Sequence, residues 1–344
     1  MKTILITGGA GFIGSAFTHY IYKKYPDYNI IVVDCLTYAG AVENLPVPIW
    51  KENDGRFAFW YGNVVNGELM DTLVSQSHMI VHFAAESHVT RSIYDNTQFF
   101  QTDVLGTQMV ANAVCKYKER IERFIHISTS EVYGTALTEK MSEDHPLNPM
   151  SPYAAAKAGA DRLVYSYWAT YDMPVSIIRP FNNYGPRQHL EKVVPRFITS
   201  VILDEKLRVH GDGLSARDFV YVEDNCEAID LVLHAPARTV VGEVFNVGSG
   251  QARTIQSISE DIVNLMSPND RCVVHVGDRP GQVMRHTADW SKIREAVGWR
   301  PKTDWEEGLR RTIDWYRNNP KWWEKQLWMR EIPIISASGD RELH

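Results

Sequence analysis

Short apolar runs alternate with amphipathic segments through the first half of the chain. The apolar runs predict β-strands, which we place at Thr3–Thr7, Ile30–Asp34, Phe57–Tyr61, Met79–Phe83, Phe124–Ser128 and Val175–Arg179. Helical periodicity separates most of these strands, as at Ile13–Lys24 and Leu105–Lys116. Runs without polar alternation, such as Ile30–Val33, are typical of strands that are covered on both faces. The pattern therefore predicts an α/β fold built on a doubly wound parallel sheet with right-handed crossovers.

The pattern changes after about residue 180, where loops rich in proline, glycine and charge surround the amphipathic segments. We predict helices at Pro195–Leu203 and Ser257–Met266, and strands at Phe219–Val222 and Val244–Val247 that could return to the main sheet. We therefore expect the main sheet within residues 1–180, a smaller α/β domain over residues 181–330, and a tail over residues 331–344.

The C-terminal region is rich in tryptophan. We expect these indoles to pack a helix against the body of the protein rather than to form a binding site. They are Trp305, Trp315, Trp322, Trp323 and Trp328.

Composition excludes several classes of protein. The 344 residues are 44% hydrophobic, and the 36 basic and 42 acidic residues are interspersed, which argues against a disordered chain or a nucleic-acid partner. The four cysteines and 12 histidines lack the spacing of metal ligands, so we expect reduced thiols and no metal. No uncharged apolar run reaches about 18 residues and no signal peptide is evident, so we expect a cytoplasmic protein without a membrane partner.

A glycine-rich turn follows the first predicted strand and opens the first predicted helix. Glycines at positions 8, 11 and 14 have the spacing that allows a tight turn, close approach of backbone N–H groups to a pyrophosphate, and close helix–strand packing. They are Gly8, Gly11 and Gly14. Asp34 ends the second strand, where a carboxylate accepts hydrogen bonds from a ribose 2′-hydroxyl and repels a 2′-phosphate. These features predict a Rossmann-type fold that binds NAD rather than NADP.

A tyrosine and a lysine stand four residues apart after the fifth predicted strand. Tyr153 and Lys157 would share one face of a helix. A neighbouring ammonium and a cationic nicotinamide would lower the tyrosine pKa towards that of a usable base. The segment Ser128–Gly134, at the end of a strand, would lie beside this pair. Together these residues predict a catalytic site.

The turn and the Tyr-x-x-x-Lys pair resemble the extended short-chain dehydrogenases/reductases over nearly the whole chain. Further segments are similar to the nucleotide-sugar 4,6-dehydratases of the dTDP-glucose type. These segments are Val33–Gly40, His82–Val89 with Arg91–Ile93, Asn182–Pro186, Glu191 with Lys192, Arg217 with Asp218, and Asp278–Gly281. The resemblance implies a lyase that binds NAD through residues 1–180 and a nucleotide sugar through residues 181–330.

The resemblance also implies a role for each matching residue. Tyr153 would take the proton of the sugar C4 hydroxyl, Lys157 would hold the nicotinamide ribose, and Thr129 would hydrogen-bond the C4 oxygen. Glu131 would remove the C5 proton as water leaves C6, after which the hydride returns to C6. Other positions implied to contact the cofactor are Phe12, Ile13, Asn63, Val64, Phe83, Ala84, Ala85, Thr102 and Asn183. Those implied to contact the substrate are Ser87, Asn182, Glu191, Lys192, Arg217, Asn246, Arg279 and Arg285.

Ser130 departs from the dTDP-glucose pattern, which has an aspartate there as the acid that protonates the departing water. GDP-mannose 4,6-dehydratases read Thr-Ser-Glu as this chain does, and so do UDP-glucuronate decarboxylases. Decarboxylation or 4-epimerisation of a nucleotide sugar therefore stays open beside dehydration, as does a non-catalytic NAD-binding protein on the same fold.

Two further properties follow from the resemblance. The family forms homodimers through a four-helix bundle, so we expect Leu105–Lys116 and Ala154–Tyr171 to form a dimer interface. Gln282, Val283 and Met284 replace residues that lie near the nucleotide in the dTDP-glucose enzymes. The nucleotide and the sugar therefore stay open.

Overall fold

The computed structural model describes residues 1–48, 55–266, 273–277, 283–330, 333–335 and 341–343. Its strands are β1 Thr3–Thr7, β2 Asn29–Asp34, β3 Phe57–Tyr61, β4 Met79–His82, β5 Arg123–Ile127, β6 Val175–Pro180, β7 Asn182–Tyr184, β8 Leu207–His210, β9 Ala216–Tyr221, β10 Val244–Val247, β11 Ala252–Thr254, β12 Val273–Val276, β13 Pro333–Ile335 and β14 Arg341–Leu343. The six strands predicted in the first half of the chain are confirmed to within one or two residues at each end.

The α-helices connect these strands. They are α1 Phe12–Lys24, α2 Gly67–Ser75, α3 Val89–Tyr94, α4 Thr97–Phe99, α5 Thr107–Lys116, α6 Pro152–Tyr171, α7 Val193–Ile202, α8 Val222–His234, α9 Ala237–Val240, α10 Ile255–Met266, α11 Ser291–Val297, α12 Trp305–Asn318 and α13 Pro320–Trp323. A π-helix over Phe100–Gly106 runs directly into α5, so the helix predicted from Leu105 begins earlier and with a different hydrogen-bond pattern.

Seven parallel strands form the main sheet, in the order β10-β6-β5-β4-β1-β2-β3. Successive residues of β1 enter opposite cores: Ile4 and Ile6 pack with α1, α8 and α11, whereas Leu5 packs with α2, α5 and α6. Because both faces are covered by helices, the strands are mostly apolar, and their polar residues, such as His126 and Arg179, are also buried. The predicted doubly wound α/β fold is confirmed.

The chain beyond residue 180 contributes to both the main sheet and a second core. The prediction that Val244–Val247 returns to the main sheet is confirmed, since β10 pairs with β6. The corresponding prediction for Phe219–Val222 is wrong, because β9 lies between β7 and β11 in a separate three-stranded sheet. This sheet, the β8–β12 pair and helices α7, α10 and α12 enclose the second core.

Most of the tryptophan-rich region packs as predicted. Trp305, Trp315, Trp322 and Trp323 belong to the second core or lie against it. Trp328 is the exception, with 75% of its surface exposed. Within the described ranges, no helix is both long and apolar enough to cross a membrane.

Candidate active site

A cavity of about 350 Å³ opens at the carboxyl ends of the main strands. It lies where the strand order reverses, between β1 and β4, which is where open α/β sheets bind ligands. The turn after β1, the ends of β2, β4 and β5, the first turns of α6, and the segment from Pro180 to Val194 all contribute to its wall. The two cores therefore meet around one site.

Gly8, Gly11 and Gly14, in the turn after β1, have different structural roles. Gly8 has a φ of +68°, and a Cβ there would lie 2.6 Å from the Ala84 backbone nitrogen. A Cβ on Gly14 would lie 2.1 Å from the Gly8 carbonyl oxygen, so this glycine allows α1 to pack against the turn. A Cβ on Gly11 would meet only the Gly8 oxygen, at 3.4 Å. Gly8 and Gly14 thus serve packing, whereas Gly11 leaves space over the N-terminus of α1, whose first turn has no side-chain cap.

Asp34 lies at the end of β2 and lines the same cavity. Its Oδ2 accepts a hydrogen bond from the Ala10 backbone N–H at 2.9 Å, and its Oδ1 accepts one from the Leu36 N–H at 2.8 Å. Burial raises the pKa of Asp34, and these backbone donors oppose the shift. The carboxylate is therefore held in one orientation at the cavity wall.

Most of the other residues predicted to contact the cofactor also line the cavity. These are Phe12, Ile13, Val64, Phe83, Ala84, Ala85, Thr102 and Asn183. Asn63 does not, because its Oδ1 accepts a hydrogen bond from the Val65 N–H within its own turn.

Helix α6 carries Tyr153 and Lys157 into the cavity. Ser151 caps this helix, its Oγ accepting a hydrogen bond from the Ala154 N–H, and Pro152 occupies the first turn. The buried Lys157 donates a hydrogen bond from Nζ to the Ile127 carbonyl oxygen at 2.8 Å. Burial lowers the pKa of Lys157, and the negative charges of Asp103 and Asp161 oppose the shift.

The protein groups around Tyr153 raise its pKa, whereas the lowering expected from the sequence also includes a cationic nicotinamide. Burial raises that pKa, the charges of Asp103 and Glu131 raise it further, and a hydrogen bond with Thr129 opposes them. The largest cause is desolvation, because the hydroxyl is buried, and the carboxylates of Asp103 and Glu131 add to it.

The segment after β5 turns Thr129 and Glu131 towards the cavity and Ser130 away from it. Thr129 caps a short 3₁₀ helix, its Oγ1 accepting a hydrogen bond from the Glu131 N–H at 3.2 Å. Thr129 and Glu131 line the cavity beside Tyr153, whereas Ser130 is only 1% exposed and does not. Ser130 therefore cannot touch a substrate in this conformation.

Asp103 is a buried carboxylate that the sequence analysis missed. It lies on the π-helix beside Lys157, and its Oδ1 accepts a hydrogen bond from the Glu86 N–H at 2.8 Å. Its Oδ2 is buried and has no hydrogen-bond partner. Burial raises the pKa of Asp103, and the Lys157 charge opposes the shift. The sequence signal that could have identified Asp103 is an acidic residue within a largely apolar helical stretch.

Four of the predicted substrate contacts line the cavity together with Thr129: Ser87, Asn182, Glu191 and Lys192. Lys192 donates to the Ser87 carbonyl oxygen at 2.9 Å, and its Nζ lies 3.1 Å from Glu191. Tyr38 donates a further hydrogen bond to Glu191 at 3.2 Å. Tyr38 lies within the segment Val33–Gly40, but the sequence analysis gave it no role of its own.

Three of the remaining predicted contacts are described by the structure, and none of these three lines the cavity. Asn246 is buried, and its amide accepts from the Tyr133 hydroxyl at 2.7 Å and donates to the Met141 carbonyl at 2.9 Å, so it serves the interior. Arg285 donates instead to the Thr138 carbonyl oxygen at 2.8 Å. Arg217 lies behind Glu131, its Nε 3.8 Å from Oε1. Arg279 lies outside the described residues.

A Tyr-x-x-x-Lys pair facing a glycine turn at the switch point of a parallel sheet defines the extended short-chain dehydrogenase/reductase class. The model of the GDP-mannose 4,6 dehydratase family matches residues 5–312. The chain belongs to this family of nucleotide-sugar 4,6-dehydratases.

Individual relatives agree with this assignment. The chain is 43% identical over 313 residues to the low-salt glycan biosynthesis protein Agl12 of Haloferax volcanii, covering 91% of this chain and 98% of that protein. It is 39% identical over 326 residues to a dTDP-glucose 4,6-dehydratase of Streptomyces antibioticus, covering 93% and 94% of the two chains. A dTDP-glucose 4,6-dehydratase of Streptomyces venezuelae, DesIV, crystallised with NAD and TYD, superposes with a TM-score of 0.88 at 40% identity, covering 94% and 99%.

Proposed function

We propose that this protein is an NAD-dependent nucleotide-sugar 4,6-dehydratase, a hydro-lyase that converts a nucleoside-diphosphate hexose into its 4-keto-6-deoxy form. The observation that carries the proposal is the presence of Glu131 in the same cavity as Tyr153 and Thr129. A tyrosine alone suits oxidation at C4, which an epimerase also performs. A carboxylate beside this tyrosine suits removal of the C5 proton, a step that elimination of water requires and that epimerisation at C4 does not.

The residues of the cavity fit NAD. The open space over Gly11 and the uncapped first turn of α1 suit a pyrophosphate. Asp34 stands where a ribose 2′-hydroxyl would donate to a carboxylate, and Lys157 stands where it would hold the nicotinamide ribose. When bound, NAD supplies the hydride acceptor and donor.

The chain's own residues then move the protons. Tyr153 takes the proton of the C4 hydroxyl while Thr129 hydrogen-bonds the C4 oxygen. Because burial raises the pKa of Tyr153, the ammonium of Lys157 one helical turn away is needed to favour the tyrosinate. The C4 ketone makes the C5 proton acidic, and Glu131 removes it as the C6 hydroxyl leaves. This order is fixed by chemistry, since a C5 proton beside an alcohol is not acidic.

Lys192 and Arg217 are the basic residues that we assign to the diphosphate. Lys192 lines the cavity, and Arg217 Nε lies 3.8 Å from Oε1 of Glu131, which also lines it. Asn182 and Ser87 lie on the same side of the cavity and suit the sugar hydroxyls.

A panel of UDP-, dTDP-, GDP- and CDP-hexoses and the corresponding uronates, incubated with purified protein without added NAD, tests the proposal. We expect one hexose to lose the mass of one water molecule, because the hydride taken from C4 returns to C6. Mass spectrometry of the sugar products is the readout. Loss of carbon dioxide from a uronate, or epimerisation without mass change, would contradict dehydration.

We also propose that the protein is a cytoplasmic homodimer. Large side chains of the π-helix and of α6 are exposed, with Phe100, Leu105 and Tyr171 each 43–50% accessible, which suits burial against a second copy. Light scattering should give twice the mass of one chain at micromolar concentration. A mass equal to one chain would contradict the dimer.

A further inference from the structure

Trp322 joins the C-terminal part of the chain to the segment that follows β2. Its indole N–H donates a hydrogen bond to Asn44 Oδ1 at 2.8 Å, although 278 positions separate the two residues. The indole lies against the second core and packs edge-on against Trp315, with ring centroids 4.9 Å apart. A second contact joins the same two segments, since Lys325 Nζ lies 2.7 Å from Glu43 Oε1.

Asn44 is fully buried and connects Trp322 to the glycine-rich turn. Its Nδ2 donates to the Ala10 carbonyl oxygen at 2.8 Å, and the Ala41 backbone N–H donates to the same oxygen at 3.1 Å. The carbonyl oxygen of Asn44 lies 2.9 Å from Nε2 of His19 on α1. A carbonyl oxygen only accepts hydrogen bonds, so this nitrogen donates. Both ends of the Asn44 amide are thus used, one for Trp322 and one for Ala10.

Ala10 lies between the two features of the cavity that suit NAD. Its N–H donates to Oδ2 of Asp34, the carboxylate placed for a ribose hydroxyl. Its carbonyl oxygen belongs to the planar peptide that links it to Gly11, and α1 begins at the next residue, Phe12, with an uncapped first turn. Fixing this oxygen therefore fixes the direction in which the chain enters α1. The N–H groups of that first turn can bind a pyrophosphate only from the position that this entry gives them.

We propose that Trp322 is a positioning residue for NAD, which acts through Asn44 on Ala10 and thereby on the N-terminus of α1. The indole is not part of the described cavity wall, so its effect on NAD runs through these hydrogen bonds rather than through contact. The inference rests on the proposed function only for the need to keep NAD bound. In that reaction the hydride taken from the sugar returns to the same sugar, so an enzyme that releases NADH halfway cannot finish.

Trp322→Phe tests this role. Phenylalanine keeps an aromatic ring beside Trp315 and Tyr316 but carries no N–H. Asn44 Oδ1 would then be buried without a donor, and the amide would no longer be held towards Ala10. We expect NAD to leave the variant about tenfold faster than the wild type, the effect of about one hydrogen bond. Each protein is loaded with excess NAD and desalted, and the NAD that stays with it is measured over time.

Turnover should separate positioning of NAD from a general loosening of the fold. With saturating NAD and the sugar identified by the panel, we expect Trp322→Phe to reach the wild-type kcat. The NAD concentration that gives half the maximal rate should rise by about the same factor as the release rate. A fold that is loosened throughout would lower kcat as well.

Trp305→Phe is the matched control. Trp305 also lies against the second core, and its indole N–H also donates to a side-chain oxygen, Asp261 Oδ2, at 2.8 Å. Neither Trp305 nor Asp261 lines the cavity. The control therefore loses the same kind of bond in the same core, and NAD should leave it at the wild-type rate.

Asn44→Ala shows whether Trp322 acts through Asn44. This variant should itself release NAD faster, because it frees the Ala10 carbonyl oxygen from the amide. Adding Trp322→Phe to it should have no further effect, since the bond between the two side chains is already gone. If Trp322→Phe did not fold, faster release from Asn44→Ala would still test the connection to Ala10. Effects that multiply in the double variant would exclude the connection.

Other outcomes also overturn the assignment. Normal NAD release from Trp322→Phe, or equally fast release from Trp305→Phe, would exclude the positioning role. A wild type that retains NAD but dehydrates no sugar would overturn the proposed function and leave this role in place, so the two failures can be told apart.

Discussion

Replacing Tyr153 by phenylalanine is expected to lower kcat by about 10²–10⁴-fold, the usual contribution of a positioned acid or base. The substitution removes the hydroxyl that hydrogen-bonds Thr129 and keeps the ring, which packs edge-on against Phe99 with centroids 6.3 Å apart. C4 oxidation is the first chemical step, so neither NADH nor a water-loss product should form. The measurement is the rate of product formation with the hexose identified by the panel.

Tyr165→Phe is the matched control for this variant. Tyr165 lies on the same helix with 38% of its surface exposed, away from the cavity. It should keep wild-type turnover, and both variants should unfold near the wild-type temperature. If Tyr153→Phe retained most of its activity, another group would have to take the C4 proton.

Replacing Arg179 by methionine is expected to cost about 3 kcal/mol of unfolding free energy, the lower end of the range for breaking a buried ion pair. Arg179 donates from Nε and Nη2 to the two oxygens of Asp161, both at 2.9 Å, and both side chains are buried. Arg162 stays in contact with Asp161, which limits the loss. The pair ties α6, and with it Tyr153 and Lys157, to β6.

The loss of unfolding free energy in Arg179→Met should depend on pH in a defined direction. Burial alone would raise the pKa of Asp161, but the hydrogen bonds and charge of Arg179 outweigh it and hold that pKa well below its usual range. The stabilisation is therefore present above the unfolded pKa of about 3.9 and is lost as the pH falls below it. The difference in unfolding free energy between the wild type and Arg179→Met should become smaller in acid, because a protonated Asp161 no longer needs its partner.

Urea unfolding at neutral and acid pH measures this effect. Arg310→Met is the control, because Arg310 pairs with Glu306 on the exposed face of α12 and should contribute less than about 1 kcal/mol. If Arg179→Met lost no more unfolding free energy than Arg310→Met, the buried pair would not hold α6 in place.

The sequence by itself determined the main sheet, the glycine turn with Asp34, and the Tyr153–Lys157 pair. These features are local. An apolar run indicates a segment that is covered on both faces, and a spacing of four residues indicates a shared helical face. The strand ends and the helix around these residues followed directly from that periodicity, and so did the edge of the sheet at which the cavity opens.

The tertiary structure alone decided how distant segments meet. The apolar runs at Phe219–Val222 and Val244–Val247 look alike, yet only β10 joins the main sheet. Asn246 forms its hydrogen bonds inside the protein rather than in the cavity. Asp103 lies beside Lys157, and His286 lies beside Glu131. Partners that lie far apart in the sequence leave no periodic trace in the chain, because a buried polar side chain is placed by the groups that satisfy it rather than by its neighbours in sequence.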